Sequence, residues 1–166
     1  MTIRTAKRTD LEKIAILSRE CFPEKIASSE HNVQMRYYKD PTSYIVATDI
    51  HDNPIAYMCV IPLSKFMYDR LVSVSSDKYY GESMDIIYCE KESDMMLLQS
   101  VAIHPDHRDG DIIVFLGEEL DKKIAHKKCV AEVTSPDGAK FCERHGFLKH
   151  KETKGGFSVW RYPNKF

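Results

Sequence analysis

MMLLQSVAIHPDHRDGDIIVFLGEELDKKI, residues 95–124, divides into three parts. Met95 to Ile103 is an apolar run of strand length, and Pro105, His107, Arg108 and Gly110 make a short polar turn. Ile112, Leu116, Leu120 and Ile124 then stand four apart, the spacing of one face of an amphipathic helix. A strand, a tight turn and a helix in that order leave several backbone N–H groups without partners at the helix start, where the dipole also favours negative charge. The stretch outlines a seat for a phosphate.

Length and charge bound what this seat belongs to. The chain has 166 residues and a mass of 19.2 kDa, which predicts one domain, 1–166, long enough to bury a sizeable core. Lys and Arg total 24 against 25 Asp and Glu, so the molecule as a whole has no charge-driven attraction to nucleic acid or anionic lipid, and neither is expected as a partner. MTIRTAKRTDLEKI lacks an apolar core of signal-peptide length, and no run of about 18 apolar residues spans a bilayer. A cytoplasmic protein is expected. Five cysteines (Cys21, Cys59, Cys89, Cys129, Cys142) are odd in number and widely spaced without a C-x-x-C pair, which fits reduced thiols and no structural metal.

From the start of the chain, Ile3 to Ala6 reads as a strand, and Thr9-Asp10-Leu11-Glu12 has capping-box spacing for a helix that turns Leu11, Ile14, Ala15 and Leu17 inward until Pro23. A second helix is expected from about Ser29 to Lys39, closed by Asp40-Pro41. Tyr44 to Thr48 and Ile55 to Ile61 are β-rich runs around the turn formers 49–54, a hairpin. An insertion follows at about 63–94: Ser64 to Leu71 reads as a short helix and Met84 to Cys89 as a strand. It suits either a lid that shapes a substrate or an extra hairpin over a sheet edge. After the central strand and helix, Lys128 to Thr134 is a strand, Ser135-Pro136-Asp137 starts a helix that Gly146 stops, Phe147 and Leu148 resume as strand, and Phe157 to Tyr162 forms the last strand after Gly155-Gly156. That final strand offers an edge for pairing with a second copy in a homodimer, or finishes the sheet.

S-V-A-I-H-P-D-H-R-D-G-D-I-I, from Ser100, resembles the acyl-CoA loop of the GCN5-related N-acetyltransferase (GNAT) superfamily, an apolar strand, V-x-P-x-x-R/Q-x-x-G-x-G/A, then a helix. Val101, Ile103, Pro105 and Arg108 fall in place, while Asp111 and Ile113 occupy the two small positions; a one-residue slip would put Gly110 on the first of them. The segment S-P-D-G-A-K-F-C-E-R-H-G-F is similar to the family's A-x-x-F/L-Y-E-K-x-G-F, whose helix lies along the far side of the coenzyme. The resemblance implies an α/β (α+β) fold in the order β-α-α-β-β-(insert)-β-α-β-α-β-β, a mixed central sheet of about six or seven strands with about four flanking helices. It also implies acetyl-CoA as co-substrate and an amine of a small molecule or protein as acceptor.

Acyl transfer from a thioester to an alkylamine needs a base, because an amine of pKa near 10.4 is protonated at neutral pH, and an N–H donor for the tetrahedral oxyanion. By resemblance, backbone at Val101, Ala102 and Ile103, with Ser100, holds the acyl carbonyl and pantetheine amides. Arg108, Asp109, Gly110, Asp111, Ile112 and Ile113 wrap the pyrophosphate. Asp111 sets a negative side chain before a negative ligand; at about 5 Å that repulsion is roughly 0.8 kcal/mol per charge pair in bulk-like water, unless the carboxylate turns to cap its own helix. Cys142 stands where the family commonly has a tyrosine proposed to protonate the leaving thiolate, a role a thiol of pKa near 8.5 suits, although a packed small hydrophobe is the plainer role. For the base, Glu82, Asp85, Glu90 and Glu92 precede the central strand, and Glu90 is the candidate singled out; solvated loop acids are the alternative. His104, His107 and His145 read as turn and helix-end residues. Two other classes remain open: a fold of this kind that binds a ligand or partner without turnover, and an unrelated α/β module.

Overall fold

The computed structural model describes residues 1–73, 84–108, 110–153 and 155–163. Their elements run β1 (Thr2–Thr5), α1 (Leu11–Cys21), α2 (Glu30–Lys39), β2 (Tyr44–Thr48), β3 (Pro54–Pro62), α3 (Lys65–Val72), α4 (Met84–Ile87), β4 (Met95–Ile103), α5 (Ile112–Ile124), β5 (Lys128–Val133), α6 (Pro136–Arg144), β6 (Leu148–Glu152) and β7 (Ser158–Tyr162). The strands form one seven-stranded sheet in the order β1-β2-β3-β4-β5-β7-β6, antiparallel except for the β4–β5 pair. β7 inserts between β5 and β6, so the last strand lies inside the sheet and β6 forms the edge.

Local chemistry sets most boundaries. Ser29, Ser64 and Ser135 each accept a hydrogen bond from the third residue of the following helix, at 3.1, 3.3 and 3.1 Å. Gly146, at φ +78°, ends α6 in the left-handed region that glycine enters freely. The expected capping box at Thr9–Glu12 does not form. A 3₁₀ turn at Arg8–Asp10 precedes α1, and the Asp10 carboxylate accepts from the Lys7 N–H at 2.7 Å. Asp10 is drawn there by Arg4, whose guanidinium lies 2.6 Å away.

Side chains alternate between two packed faces. On one, Ile112, Leu116, Leu120 and Ile124 of α5 pack with Met96, Leu98, Cys129, Ala131 and Phe141. On the other, α1 and α2 cover Tyr44, Val46, Tyr57 and Cys59, while α3 sets Met67, Tyr68 and Leu71 on Ile61, Leu97 and Val130. α3 and α4 belong to the insertion and raise the α-helix count to six against the expected four. Met84 to Cys89 is not a strand: Met84–Ile87 is a single helical turn, and only Cys89 makes a bridge, to Leu63. No hairpin occurs among the described residues of 63–94.

That short turn is fixed by a buried ion pair. Arg36 of α2 has no solvent exposure, and its guanidinium donates to both carboxylate oxygens of Asp85 at 2.6 and 3.1 Å and to Ser28 Oγ at 3.0 Å. Removing one partner strands the other charge in the interior. Asp85→Ala is therefore expected to cost about 3–5 kcal/mol in urea unfolding, and the double change Arg36→Met with Asp85→Leu to cost less than Asp85→Ala alone.

Candidate functional site

The two parallel strands in the middle of the sheet stay together only briefly. Pairing runs from Met95–Lys128 to Leu98–Ala131 and then stops. At the same level the β3–β4 register shifts: Cys59 faces Ser100 and Val60 faces Leu98, so Gln99 is an extra, bulged residue that bends β4 away. From Gln99 to Ile103 the strand has β3 on one side and no strand on the other, leaving alternate backbone groups for another partner. A cavity of about 530 Å³ fills the opening. Its walls are β4 from Leu97 to Ile103, β5 from Ala131, the first turn of α5, α6 along its length, and, on the opposite face of the sheet, the segment after α1 with α3 and α4.

Val101, Ala102 and Ile103 all line this cavity, as do Arg108 and Ile113. Arg108 is folded back, its Nε donating to the Ile103 carbonyl at 3.3 Å. Ile112 points into the core beneath the α5 start and does not line the cavity. Gly110 is exposed, has open space where a Cβ would stand, and its φ lies outside the left-handed region, so a side chain is sterically admissible there. Asp111 occupies the N-cap position of α5, yet its carboxylate makes no cap hydrogen bond: its carbonyl accepts from the Val114 and Phe115 N–H groups, and its exposed side chain has no partner among the described residues. Asp109 lies outside the described residues.

The expected acid and base fare differently. Cys142 lines the cavity but is buried, and burial pushes its thiol up to about 12. Such a thiol is a poor proton donor to a thiolate of ordinary pKa near 8.5. Glu90 is exposed in the turn before β4, its N–H bonded to the Pro62 carbonyl, and it is not among the cavity-lining residues. Glu92 is exposed too, and Glu82 lies outside the described residues. Asp85 does reach the cavity, but Arg36 already claims its carboxylate. His104 is a turn residue whose Nδ1 accepts from the Asp106 N–H at 3.2 Å. His145 caps the C-terminal end of α6, 3.3 Å from Asp121, with its ring laid into the notch at Gly117, where an added Cβ would stand 2.1 Å from the imidazole.

The residue that sequence reasoning missed is Glu132 on β5. Its neighbours Ala131 and Val133 belong to the α5 side of the sheet, so Glu132 alternates to the α3 side and lines the cavity. It has no hydrogen-bond or ion-pair partner among the described residues, and burial pushes its carboxyl up to about 7, against the attraction of Lys151 and with repulsion from Asp85. The signal was present: in K-C-V-A-E-V-T a single acid interrupts a strand whose other interior positions are apolar. A half-buried carboxyl poised near neutrality beside an open strand edge can accept a proton at neutral pH.

No protein-family model matches the chain, and no curated protein sequence does. Solved structures match across nearly its whole length. GphF, a GNAT-like decarboxylase in complex with isobutyryl-CoA, shares 12% identity over 98% of this chain and 98% of that one, with a TM-score of 0.74. The loading GNATL domain of CurA from Lyngbya majuscula shares 14% over 97% and 96%, at 0.73. A phosphinothricin acetyltransferase from Sinorhizobium meliloti in complex with AcCoA shares 18% over 98% and 88%, at 0.62. Identities this low establish the fold and leave the chemistry to the residues.

Glu132 has a consequence for stability. Its folded pKa of about 7 stands above its ordinary 4.5, so between these values the folded chain binds more protons than the unfolded one and stability falls as pH rises. Glu132→Gln is expected to raise Tm relative to the parent at pH 8, with the gain shrinking as the pH is lowered toward 4.5, as calorimetry at the two pH values would read.

Proposed function

From a chain with the GCN5-related N-acetyltransferase fold, we propose an acyltransferase that moves an acetyl or other acyl group from its coenzyme A thioester to the amine of a small molecule or protein. The observation that carries it is the coincidence, in one cavity, of a β4 edge and a half-buried Glu132 carboxyl that both lack partners among the described residues. In this reading backbone N–H groups of the bulged segment at Gln99 to Val101 hold the acyl carbonyl and receive the oxyanion, while residues to Ile103 align the pantetheine amides. Arg108 and the α5 start, with Ile113, face the pyrophosphate.

Proton traffic follows from the same residues. Glu132 takes the proton of the incoming ammonium and frees its lone pair; the C–N bond forms, and the C–S bond breaks as the tetrahedral intermediate collapses. The second nitrogen proton, acidified by attack, goes to the departing thiolate. Cys142 then serves as a wall of the cavity rather than as the acid. Decarboxylation would require a substrate carboxylate in the cavity, and Glu132 opposes it by like charge. The five free cysteines fit a cytoplasmic setting. A ligand-binding role without turnover is favoured by one observation, the uncapped Asp111 before the pyrophosphate seat.

Saturating acetyl-CoA is expected to raise Tm by several degrees, since a hundredfold excess over Kd adds about 2.7 kcal/mol. Glu132→Gln is expected to keep that shift while kcat falls about 10²–10⁴-fold and the rise of kcat/KM through pH 7 disappears. A Tm rise with every amine silent would favour the binding role. Asp111→Gly should tighten acetyl-CoA binding about tenfold in titration calorimetry, because glycine is an adequate N-cap and two phosphate repulsions vanish.

A further inference from the structure

The acceptor half of the cavity, on the α3 side of the sheet, has a one-sided chemistry. Phe22 and Ile26 after α1, Met67 and Leu71 of α3 and Met84 of α4 present apolar surface. Two carboxylates reach it, and they are not equivalent. Asp85 is matched by Arg36 at 2.6 Å, so that pair is already neutral. Glu132 has no such ion pair or hydrogen bond, and the attraction of Lys151 offsets its charge only in part, which leaves it as the one carboxylate among the described residues on this side that is free to pair. The cavity's other charged walls, Arg108, Asp137, Lys140 and Arg144, belong to the loop and α6 on the coenzyme side. Lys151, on β6, adds positive charge behind Glu132.

We infer that the acceptor is a monoamine carried on an apolar alkyl or aryl body, and that polyamines are discriminated against. This rests on the acyltransferase reading. A single ammonium entering the cavity meets Glu132, whose carboxylate offsets its desolvation, and the hydrocarbon behind it displaces water from Met67, Leu71 and Met84. A second ammonium on the same short molecule meets no further unpaired carboxylate among the described residues. It must be buried against methionine and leucine side chains, with Lys151 repelling it. Specificity then comes from a penalty on the wrong substrate more than from added contacts with the right one.

The matched pair butylamine and 1,4-diaminobutane tests this, because the diamine is short enough for both charges to stay inside. With acetyl-CoA saturating, release of free thiol is expected to give butylamine and phenethylamine at least a tenfold higher kcat/KM than the diamine. Met84→Glu supplies a second carboxylate and is expected to shift the ratio at least tenfold toward the diamine. Phe22→Glu, on the opposite wall, repeats the test, with the acetyl-CoA Tm shift verifying that each variant is folded. A parent protein that prefers the diamine, or folded variants that leave the ratio unchanged, overturns the monoamine assignment and leaves acyl transfer standing. Acetyl-CoA binding with no thiol released from any amine overturns both.

Discussion

The parting of β4 from β5 after Leu98 and Ala131 is the constraint on which the rest of the molecule depends. Two parallel neighbours need a crossover, and here it is α5, whose four buried residues at fourfold spacing close one face of the sheet. Continued pairing would have used up the backbone groups of β4 and sealed the interior. Instead one extra residue, Gln99, swings β4 outward while β3 keeps its hold, so the strand is rigid on one side and open on the other. The start of α5, the open strand edge and the half-buried carboxyl of β5 all meet that opening. The wedge is lined from both faces of the sheet, by the segment after α1 with α3 and α4 on one side and by α5 and α6 on the other.

A sheet split in its middle needs ties elsewhere. On the β1 to β3 side, α1 and α2 cover an apolar surface, and Arg36 reaches from α2 to fasten the single turn of α4. On the β5 to β7 side, α6 lies so close to α5 that the imidazole of His145 fits only because residue 117 has no side chain. Glycine inside a helix is unfavourable by about 1 kcal/mol relative to alanine, so its use marks a close approach that packing requires.

Where pattern and chemistry agreed, the sequence was readable. The strand from Met95 to Ile103, the helix stripe through Ile124, the serine N-caps and the stop at Gly146 all appear where local rules put them. Misreadings arose where a distant partner overruled local preference. Met84 to Cys89 has strand-like composition, but Asp85 is drawn under α2 by an arginine 49 positions earlier. Thr9 does not cap α1, because a 3₁₀ turn takes its place and Asp10 bonds back to Arg4 and the Lys7 N–H. Glu90 belongs to a cluster of exposed acids, whereas the cavity carboxyl without an ion pair among the described residues is a lone one within an apolar strand. Density of charge marks surface; isolation of charge marks an interior position where ionisation is expensive.

The notch at Gly117 binds the histories of two positions. A methyl group at 117 would stand about 2.1 Å from the imidazole of His145, so residue 117 can grow only if that ring turns away or is replaced by something smaller. A larger residue at 117 is therefore expected in company with a smaller or turned-out side chain at 145. That paired exchange is a mark by which distant kin of the chain can be recognised when their loops have diverged past comparison.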